Sequence, residues 1–191
     1  PTLRDVLGEA QREHVLVPAV AYGYFPANAD GDDLVIWFDD DRRTERLRFS
    51  FPRQQKGRFL CISDFFRSVD SGDADYAAFH VVTQGQNITP YEQALFAGDE
   101  YARYLLFHGV GVEMAEALAE YWHRRIREEW GFAHEDGPSL AGLFRQQYRG
   151  GRYSWGYPAC PDLDDQVKVA ELLDVERIGV KVSEEFELHP E

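Results

Sequence analysis

The sequence predicts an α+β fold, and the order of its elements is the main reason. Short apolar runs bounded by turn residues dominate up to residue 83, two long helical patterns follow over 90–130, and an apolar run returns at 180–188. Strands that come first, with helices after them rather than between them, are typical of α+β domains. The chain has 191 residues, 44% of them hydrophobic, and no repeat or linker divides it, so we predict one domain with its own core.

The main elements predicted in the first part of the chain are an N-terminal helix and four strands. Residues 2–14 form the helix, with Thr2 as its cap, because the apolar residues fall on one face at helical spacing. The predicted strands are residues 20–25, ended by Pro26, and then 34–38, 46–51 and 76–83. The acidic turn at residues 28–33 makes the first two strands a hairpin. We interpret this turn as a solvated tip rather than a metal site, since it lacks the spacing and terminal Glu of a calcium loop.

The second part of the chain is predicted to be mostly helical. One helix starts at Pro90 and runs to about residue 108, and a second runs over 112–130, with Gly109 to Gly111 separating them. Shorter helices are predicted at 139–148 and 166–173, followed by a final strand at 180–188.

Charge and composition exclude several classes of protein. The formal net charge is −14, which argues against a nucleic-acid binder and against attachment to an anionic membrane. No apolar run reaches the length of a transmembrane helix, and the start of the chain lacks the apolar core of a signal peptide. The two cysteines, Cys61 and Cys160, lie far apart and have no metal-ligand spacing. We therefore expect a reduced, cytoplasmic protein without a metal site.

The segment Arg152 to Asp162 is predicted to be a rigid, irregular loop. It contains two prolines, which fix φ and remove amide donors, and Gly156, which permits conformations that a Cβ would forbid. Three aromatic residues are interleaved with them: Tyr153, Trp155 and Tyr157. Because these rings lie in a loop beside Arg152 rather than on a periodic face, we interpret them as a ligand surface rather than as core.

Other candidate sites have simpler explanations. A nucleophilic role for Cys160 would need a nearby base or positive field, and no histidine has a recognisable spacing to it, so a small buried hydrophobe is favoured. His123 is predicted to be a surface or boundary residue rather than a metal ligand. Gly150, Gly151 and Gly156 do not form a dinucleotide-binding fingerprint, because no strand precedes them at the required spacing.

The loop also carries a family resemblance. Arg152 followed by Gly156-Tyr157-Pro158-Ala159-Cys160-Pro161-Asp162 resembles the activation domain of cobalamin-dependent methionine synthase. Four further segments resemble that family in the same order along the chain: residues 22–28 with 31–33, residues 53–55, residues 74–76 and residues 116–124. The similarity thus covers most of the chain.

The resemblance implies both a fold and a function. The fold would be a curved antiparallel sheet with long helices packed on it. The function would be to bind S-adenosylmethionine and position it for the reductive methylation of cob(II)alamin, within a methyltransferase of methionine biosynthesis that acts on 5-methyltetrahydrofolate and homocysteine. S-adenosylmethionine and cobalamin are the implied cofactors, with cobalamin held mainly by another domain. A cobalamin-binding domain and a flavodoxin-like electron donor are the implied partners, and this segment alone would not be catalytic.

The family's ligand contacts transfer to six positions of this sequence: Arg152, Ser154, Gly156, Tyr157, Glu116 and Gln146. Arg152 matches the arginine that holds the ligand's carboxylate, which a guanidinium binds well through two hydrogen bonds. Ser154 stands where many members have Ala, and the contact there is through the backbone. Tyr157 matches the aromatic that faces the corrin and the ligand, and Glu116 matches an acidic position near the ligand. Gln146 stands where some members have Glu, so a charge is lost there.

Two family features fall outside residues 1–191, an aspartate before the first helix and a tyrosine in later strands. We therefore expect a single domain over 1–191 that is truncated at both ends. The alternative function is a docking module for a cobalamin-binding partner without ligand binding of its own, motivated by Gln146 and the missing flanks. A cysteine-dependent hydrolase using Cys160 ranks far behind both.

Overall fold

A computed structural model describes residues 2–137 and 139–190, and the chain divides into two compact units. The helical unit comprises Pro1–Ala21, His80–Gly151 and Leu173–Glu191, and the strand unit comprises Tyr22–Phe79 and Arg152–Leu172. Each unit is therefore built from separate stretches of sequence. The expectation of one domain truncated at both ends stays a prediction.

Four strands form one sheet, as the sequence predicts. They are β1 (Ala19–Asp30), β2 (Asp33–Trp37), β3 (Glu45–Ser50) and β4 (Asp75–Thr83), in the order β3-β2-β1-β4. β2 is antiparallel to both β1 and β3. The α+β prediction is confirmed.

The first strand is longer than the sequence suggests, because β1 continues through Pro26. The expectation that Pro26 ends this strand is wrong. The pairing of β1 with β2 begins at Ala27 opposite Ile36, so the ladder on that side starts just after the residue that has no amide donor.

The β1–β2 hairpin ends in the acidic hairpin tip, which we define as Asp30, Gly31, Asp32 and Asp33. Gly31 has φ 64°, the left-handed conformation that glycine provides at the first central position of a tight hairpin turn. Arg48 Nη1 lies 2.8 Å from a carboxylate oxygen of Asp30 and 2.9 Å from one of Asp33. The three carboxylates of the tip are thus held by arginines, since Asp32 binds Arg53 at 2.7 Å.

The interior of the strand unit contains an aromatic cluster, which consists of Phe25, Phe49, Phe51, Phe79 and Trp155. Phe49 is fully buried and lies near the middle of it, with ring centroids 5.3 Å from Phe79 and 5.6 Å from Trp155. The cluster joins the sheet to the predicted ligand loop within one hydrophobic core.

The helical unit starts with α1 (Leu3–Arg12), which has the predicted cap. The Thr2 hydroxyl accepts a hydrogen bond from the Asp5 amide, and the Asp5 carboxylate accepts one from the Thr2 amide, forming a capping box. The buried core of this unit joins the first helix to the two that follow β4; its residues are Val6, Ala10, Val15, Ile88, Leu95, Phe107 and Val110.

The two long helices are divided at a different place from the one predicted. α2 is Ile88–Ala97 and α3 is Tyr101–Glu129, so the break lies at residues 98–100 and α3 continues through Gly109 and Gly111. The amides of Asp99 and Glu100 bind the carbonyls of Phe96 and Leu95, and Asp99 has φ 58°, which together form a Schellman end.

Gly111 has a packing role rather than a helix-breaking one. A Cβ at this position would lie 2.4 Å from Cδ1 of Ile88, so the missing side chain lets α2 approach α3 closely. This contact between the helices offsets the roughly 1 kcal/mol that glycine costs inside a helix.

The remaining elements are short. α4 is Leu140–Phe144, shorter than the predicted 139–148, and α5 is Asp165–Leu173, close to prediction. The predicted final strand at 180–188 is wrong as one element. The chain forms two two-residue strands, β5 (Lys181–Val182) and β6 (Leu188–His189), which pair antiparallel because the Ser183 amide binds the Glu187 carbonyl and turns the chain.

Candidate ligand-binding loop

The predicted ligand segment, which we call the 152–162 loop, is closed on itself by backbone hydrogen bonds. The Gly156 amide donates to the Cys160 carbonyl at 3.0 Å, and the Cys160 amide donates to the Tyr157 carbonyl at 2.9 Å. Gly156 has φ 87°, and a Cβ there would lie 3.2 Å from Cδ2 of Leu163. The sequence prediction of a rigid irregular loop thus has a specific physical basis, since the conformation favours glycine and a side chain there would be tight against Leu163.

The Cys160 side chain is part of this closure. Its thiol is buried, and Sγ lies 3.0 Å from the Ser154 carbonyl oxygen, to which it donates a hydrogen bond. Burial, together with the nearby Asp165 carboxylate, raises the pKa of the Cys160 thiol to about 11. The thiol is therefore protonated at neutral pH, which argues against the nucleophile hypothesis and for a buried structural cysteine.

The three aromatic residues of the loop divide between core and surface. The Trp155 ring packs on Phe49 and Phe79, and its indole nitrogen is buried without a hydrogen-bond partner among the described residues. The Trp155 ring thus belongs to the aromatic cluster and is half-buried, and its part in a ligand surface stays a prediction. Tyr153 is 44% exposed and Tyr157 is 66% exposed, so these two rings do present a surface to solvent.

Arg152 lies at the start of the loop and is half-buried. Its Nη1 lies 3.5 Å from the Ser154 hydroxyl oxygen, at the long limit of a hydrogen bond. A half-buried guanidinium beside a closed loop has the chemistry to bind a carboxylate through two charge-assisted hydrogen bonds.

The loop leads directly into α5, which fixes its far end. Asp165 is buried at the start of this helix, and its carboxylate binds Lys168 Nζ at 2.6 Å. Lys168 Nζ also donates to the Arg48 carbonyl on β3 at 2.8 Å and lies 5.4 Å from the Phe49 ring centroid. The loop is thus anchored to β3 by Trp155 on one side and by Lys168 on the other.

The six predicted contact residues lie in both units. Arg152, Ser154, Gly156 and Tyr157 belong to the 152–162 loop of the strand unit. Glu116 and Gln146 belong to the helical unit, where both are exposed.

Glu116 and Gln146 lie on different elements of the helical unit. Glu116 is on α3, and Gln146 follows α4 with φ 55° and its amide bound to the Leu143 carbonyl. The ligand role of all six residues stays a prediction.

His123 is buried, so the expectation of a surface or boundary residue is wrong. Its ring meets the Tyr148 ring edge-on at 5.1 Å, and the Arg127 guanidinium lies 4.2 Å from the centroid of the same ring. Arg127 is also buried, and it binds the Asp136 carboxylate through two hydrogen bonds of 3.0 and 2.8 Å. His123 and Arg127 of α3 thus pack against the segment that contains Gln146. The sequence did not predict Tyr148 as their aromatic partner, because Tyr148 is too far along the chain to be found from the helical spacing of α3.

Within residues 2–137 and 139–190, no group of three or more His, Cys, Asp or Glu side chains could hold a metal ion. In the same part of the chain, no helix has both the length and the apolar composition of a membrane span.

Sequence comparison gives two close relatives. The methionine synthases of Mycobacterium tuberculosis strain H37Rv and Mycobacterium leprae strain TN are each 48% identical to this chain over 203 residues. These alignments cover 100% of this chain but 17% of each relative, so the chain spans only a small part of their length.

Structural comparison agrees with the sequence. A crystal structure described as the MetH reactivation domain bound to AdoHcy matches with a TM-score of 0.91 and 34% identity. The match covers 98% of this chain and 60% of that chain. The match therefore includes nearly all of this chain.

The family follows from these findings. Residues 3–191 match the family described as "Vitamin B12 dependent methionine synthase, activation domain". The chain belongs to this family, and the resemblance drawn from the sequence is confirmed.

Proposed function

We propose that this chain binds S-adenosylmethionine and positions it for the reactivation of cobalamin in a vitamin B12-dependent methionine synthase. The observation on which this depends is the match to a reactivation domain bound to AdoHcy, at 34% identity and over 98% of this chain. AdoHcy is the product that remains when S-adenosylmethionine gives up its methyl group, so a site for one suits the other.

The 152–162 loop has the chemistry that such a ligand needs. Arg152 would hold the carboxylate of the methionine moiety, because a guanidinium pairs with a carboxylate through two hydrogen bonds. Gly156 is exposed and lacks a side chain, so its backbone is open to close approach. Tyr157, 66% exposed, presents an aromatic face beside it. Bound S-adenosylmethionine supplies the methyl group for the reductive methylation of cob(II)alamin.

Glu116 and Gln146 of the helical unit are the two other predicted ligand contacts. Glu116 supplies a carboxylate that attracts the positively charged groups of the ligand. Gln146 supplies an amide where a carboxylate would add charge, so its contact is through hydrogen bonding alone. Arg127 and Tyr148 give this segment a rigid support.

The complete methyl-transfer activity belongs to a longer protein, of which a domain of this family is one part. We propose that the parent protein transfers a methyl group from 5-methyltetrahydrofolate to homocysteine in methionine biosynthesis. Its cobalamin-binding domain and a flavodoxin-like electron donor are the partners. We also propose a reducing, cytoplasmic location, since Cys61 and Cys160 are unpaired thiols.

Isothermal titration of S-adenosylmethionine into the chain tests the ligand site. We expect binding by the wild-type chain and a loss of about 30-fold or more in affinity for Arg152→Ala. The reason is that truncating one partner of a desolvated charge pair costs on the order of 2–5 kcal/mol. The matched control is Arg149→Ala, whose side chain is 64% exposed and pairs with Glu135 in the helical unit. This control should bind like wild type.

Equal affinity of wild type and Arg152→Ala would overturn the proposed site. Absence of binding by wild type, together with retention of a purified cobalamin-binding domain on the immobilised chain, would favour the alternative of a docking module.

A further inference from the structure

The 152–162 loop contains a side-chain hydrogen bond that neither the sequence nor the family membership predicts. The Cys160 thiol reaches back across the loop to the Ser154 carbonyl, at 3.0 Å. Two backbone hydrogen bonds, from Gly156 to Cys160 and from Cys160 to Tyr157, run beside it. Cys160 therefore closes the loop with its amide, its carbonyl and its side chain.

The thiol acts on the part of the loop that is proposed to meet the ligand. Ser154 lies between Arg152 and Gly156, and Arg152 Nη1 is 3.5 Å from the Ser154 hydroxyl. Trp155, the next residue, is held by packing on Phe49 and Phe79 rather than through its indole nitrogen, which has no acceptor in the described structure. The thiol hydrogen bond thus holds the carbonyl of the peptide between Ser154 and Trp155 in one direction.

The surroundings of the thiol suit this role. Cys160 is 3% exposed, so its thiol has little access to water as an alternative acceptor. Burial also keeps the thiol protonated at neutral pH, and only the protonated form can donate.

We infer that Cys160 is a positioning residue, whose thiol holds the Ser154 carbonyl so that Arg152 and the Gly156 backbone keep the geometry that binds the ligand. The inference rests on the proposed function, because it assigns a role within the same site. It makes Cys160 neither a nucleophile nor a ligand contact.

The chain offers a matched control in its other cysteine. Cys61 is also 3% exposed, lies in the same unit, and donates through Sγ to the Phe51 carbonyl at 3.5 Å. It has no part in the 152–162 loop. Cys61→Ala and Cys160→Ala therefore remove the same atoms from equally buried positions, and only the second should change the loop.

The first experiment measures S-adenosylmethionine affinity by titration for wild type, Cys160→Ala, Cys160→Ser and Cys61→Ala. We expect Cys160→Ala to bind about 3- to 10-fold more weakly, the range that corresponds to one neutral hydrogen bond. Cys160→Ser keeps a donor and should stay within about threefold of wild type. Cys61→Ala should bind like wild type even where its unfolding temperature falls as far as that of Cys160→Ala.

The second experiment needs no ligand. Amide hydrogen exchange at Gly156, measured by NMR, should be faster in Cys160→Ala than in Cys61→Ala and should return toward the wild-type rate in Cys160→Ser. If Cys160→Ala does not fold, Cys160→Val replaces it, since valine keeps apolar volume but has no donor.

The two experiments separate the possible failures. A wild-type chain that binds no S-adenosylmethionine overturns the proposed function, while the exchange rates still decide whether the thiol orders the loop. The inference is overturned if Cys160→Ala matches Cys61→Ala in both affinity and Gly156 exchange.

Discussion

The acidic hairpin tip and the 152–162 loop are both turns of the strand unit, but they are held in opposite ways. The hairpin tip depends on charge: Arg48 and Arg53 bind all three of its carboxylates. The 152–162 loop is closed on itself by neutral contacts, namely two backbone hydrogen bonds, a thiol and the packing of Trp155, and the Asp165–Lys168 ion pair that anchors its far end lies in α5. The comparison suggests that pH should act on the tip while leaving the proposed ligand loop unchanged.

The difference has a physical reason. Ion pairs at an exposed tip are weakened by salt and by protonation of the carboxylates. Neutral hydrogen bonds have no net charge for salt to screen and no carboxylate for acid to protonate. Neutral contacts are the better support for a loop that is proposed to bind a charged ligand. The conformation of the loop then does not depend on the charges that the ligand brings.

The largest expected effect comes from Phe49, which supports both regions. It pairs with Leu34 in the hairpin, packs on Trp155 of the loop and is fully buried. Phe49→Ala should lower the free energy of unfolding by about 3–5 kcal/mol, the usual cost of removing a buried phenylalanine. Urea unfolding followed by tryptophan fluorescence measures the change.

The control for Phe49 is Phe38→Ala, at a position that is 61% exposed in the same unit. Its cost should be below about 1 kcal/mol, because little apolar area and one arginine contact are lost. A cost for Phe49→Ala no greater than that of Phe38→Ala would mean that the two regions do not share a core.

A smaller effect is expected from acid, and it should separate the two regions. Asp64 binds Arg53 at 2.7 Å, and Arg53 also binds Asp32 of the hairpin tip. The hydrogen bonds from Arg53, followed by that from the Cys61 amide, lower the pKa of Asp64 to about 2. Because the folded pKa lies below the unfolded value of about 3.9, the stabilisation is complete above that value and is lost as pH falls toward 2.

NMR can follow this acid effect through two indole signals. Trp37 donates its indole N–H to Asn28 Oδ1 at 3.0 Å in the hairpin, and Trp155 reports on the loop. We expect the Trp37 signal to change between about pH 4 and pH 2 before the Trp155 signal does. Asp64→Asn should reduce this dependence, and simultaneous changes in both signals would break the comparison.

The smallest effect is expected at Ser154, whose hydroxyl is only 3.5 Å from Arg152 Nη1. Ser154→Ala should change S-adenosylmethionine affinity by less than about threefold, because a long hydrogen bond contributes little. Titration measures it. Gly156→Ala is the contrasting variant, because a side chain at φ 87° would be strained and would crowd Leu163. Equal S-adenosylmethionine affinities for Ser154→Ala and Gly156→Ala would show that the loop backbone does not contact the ligand.

Local chemistry made several elements predictable. The Thr2 cap, the hairpin around Gly31 and the α5 start all depend on residues close together in sequence. The loop was predictable for the same reason, because prolines and glycines restrict the backbone wherever they occur.

The features that were missed depend on distant partners. Gly109 and Gly111 looked like a helix break, whereas Ile88, more than twenty positions earlier, makes Gly111 a packing residue. The break between α2 and α3 lies at Asp99, where an aspartate rather than a glycine has the left-handed conformation. Residue propensities therefore did not predict it. The role of the Cys160 thiol was hidden for a similar reason, since sequence gives a cysteine's polarity but not the carbonyl that it faces.

The discontinuous strand unit has a consequence for biosynthesis. Lys168 binds the Arg48 carbonyl across 120 residues of sequence, so α5 reaches β3 long after β3 has left the ribosome. At about 5–20 residues per second, that delay is roughly 6–24 s. For most of this interval Phe49 lacks Trp155 as a partner, so apolar surface that the folded protein buries is available for aggregation.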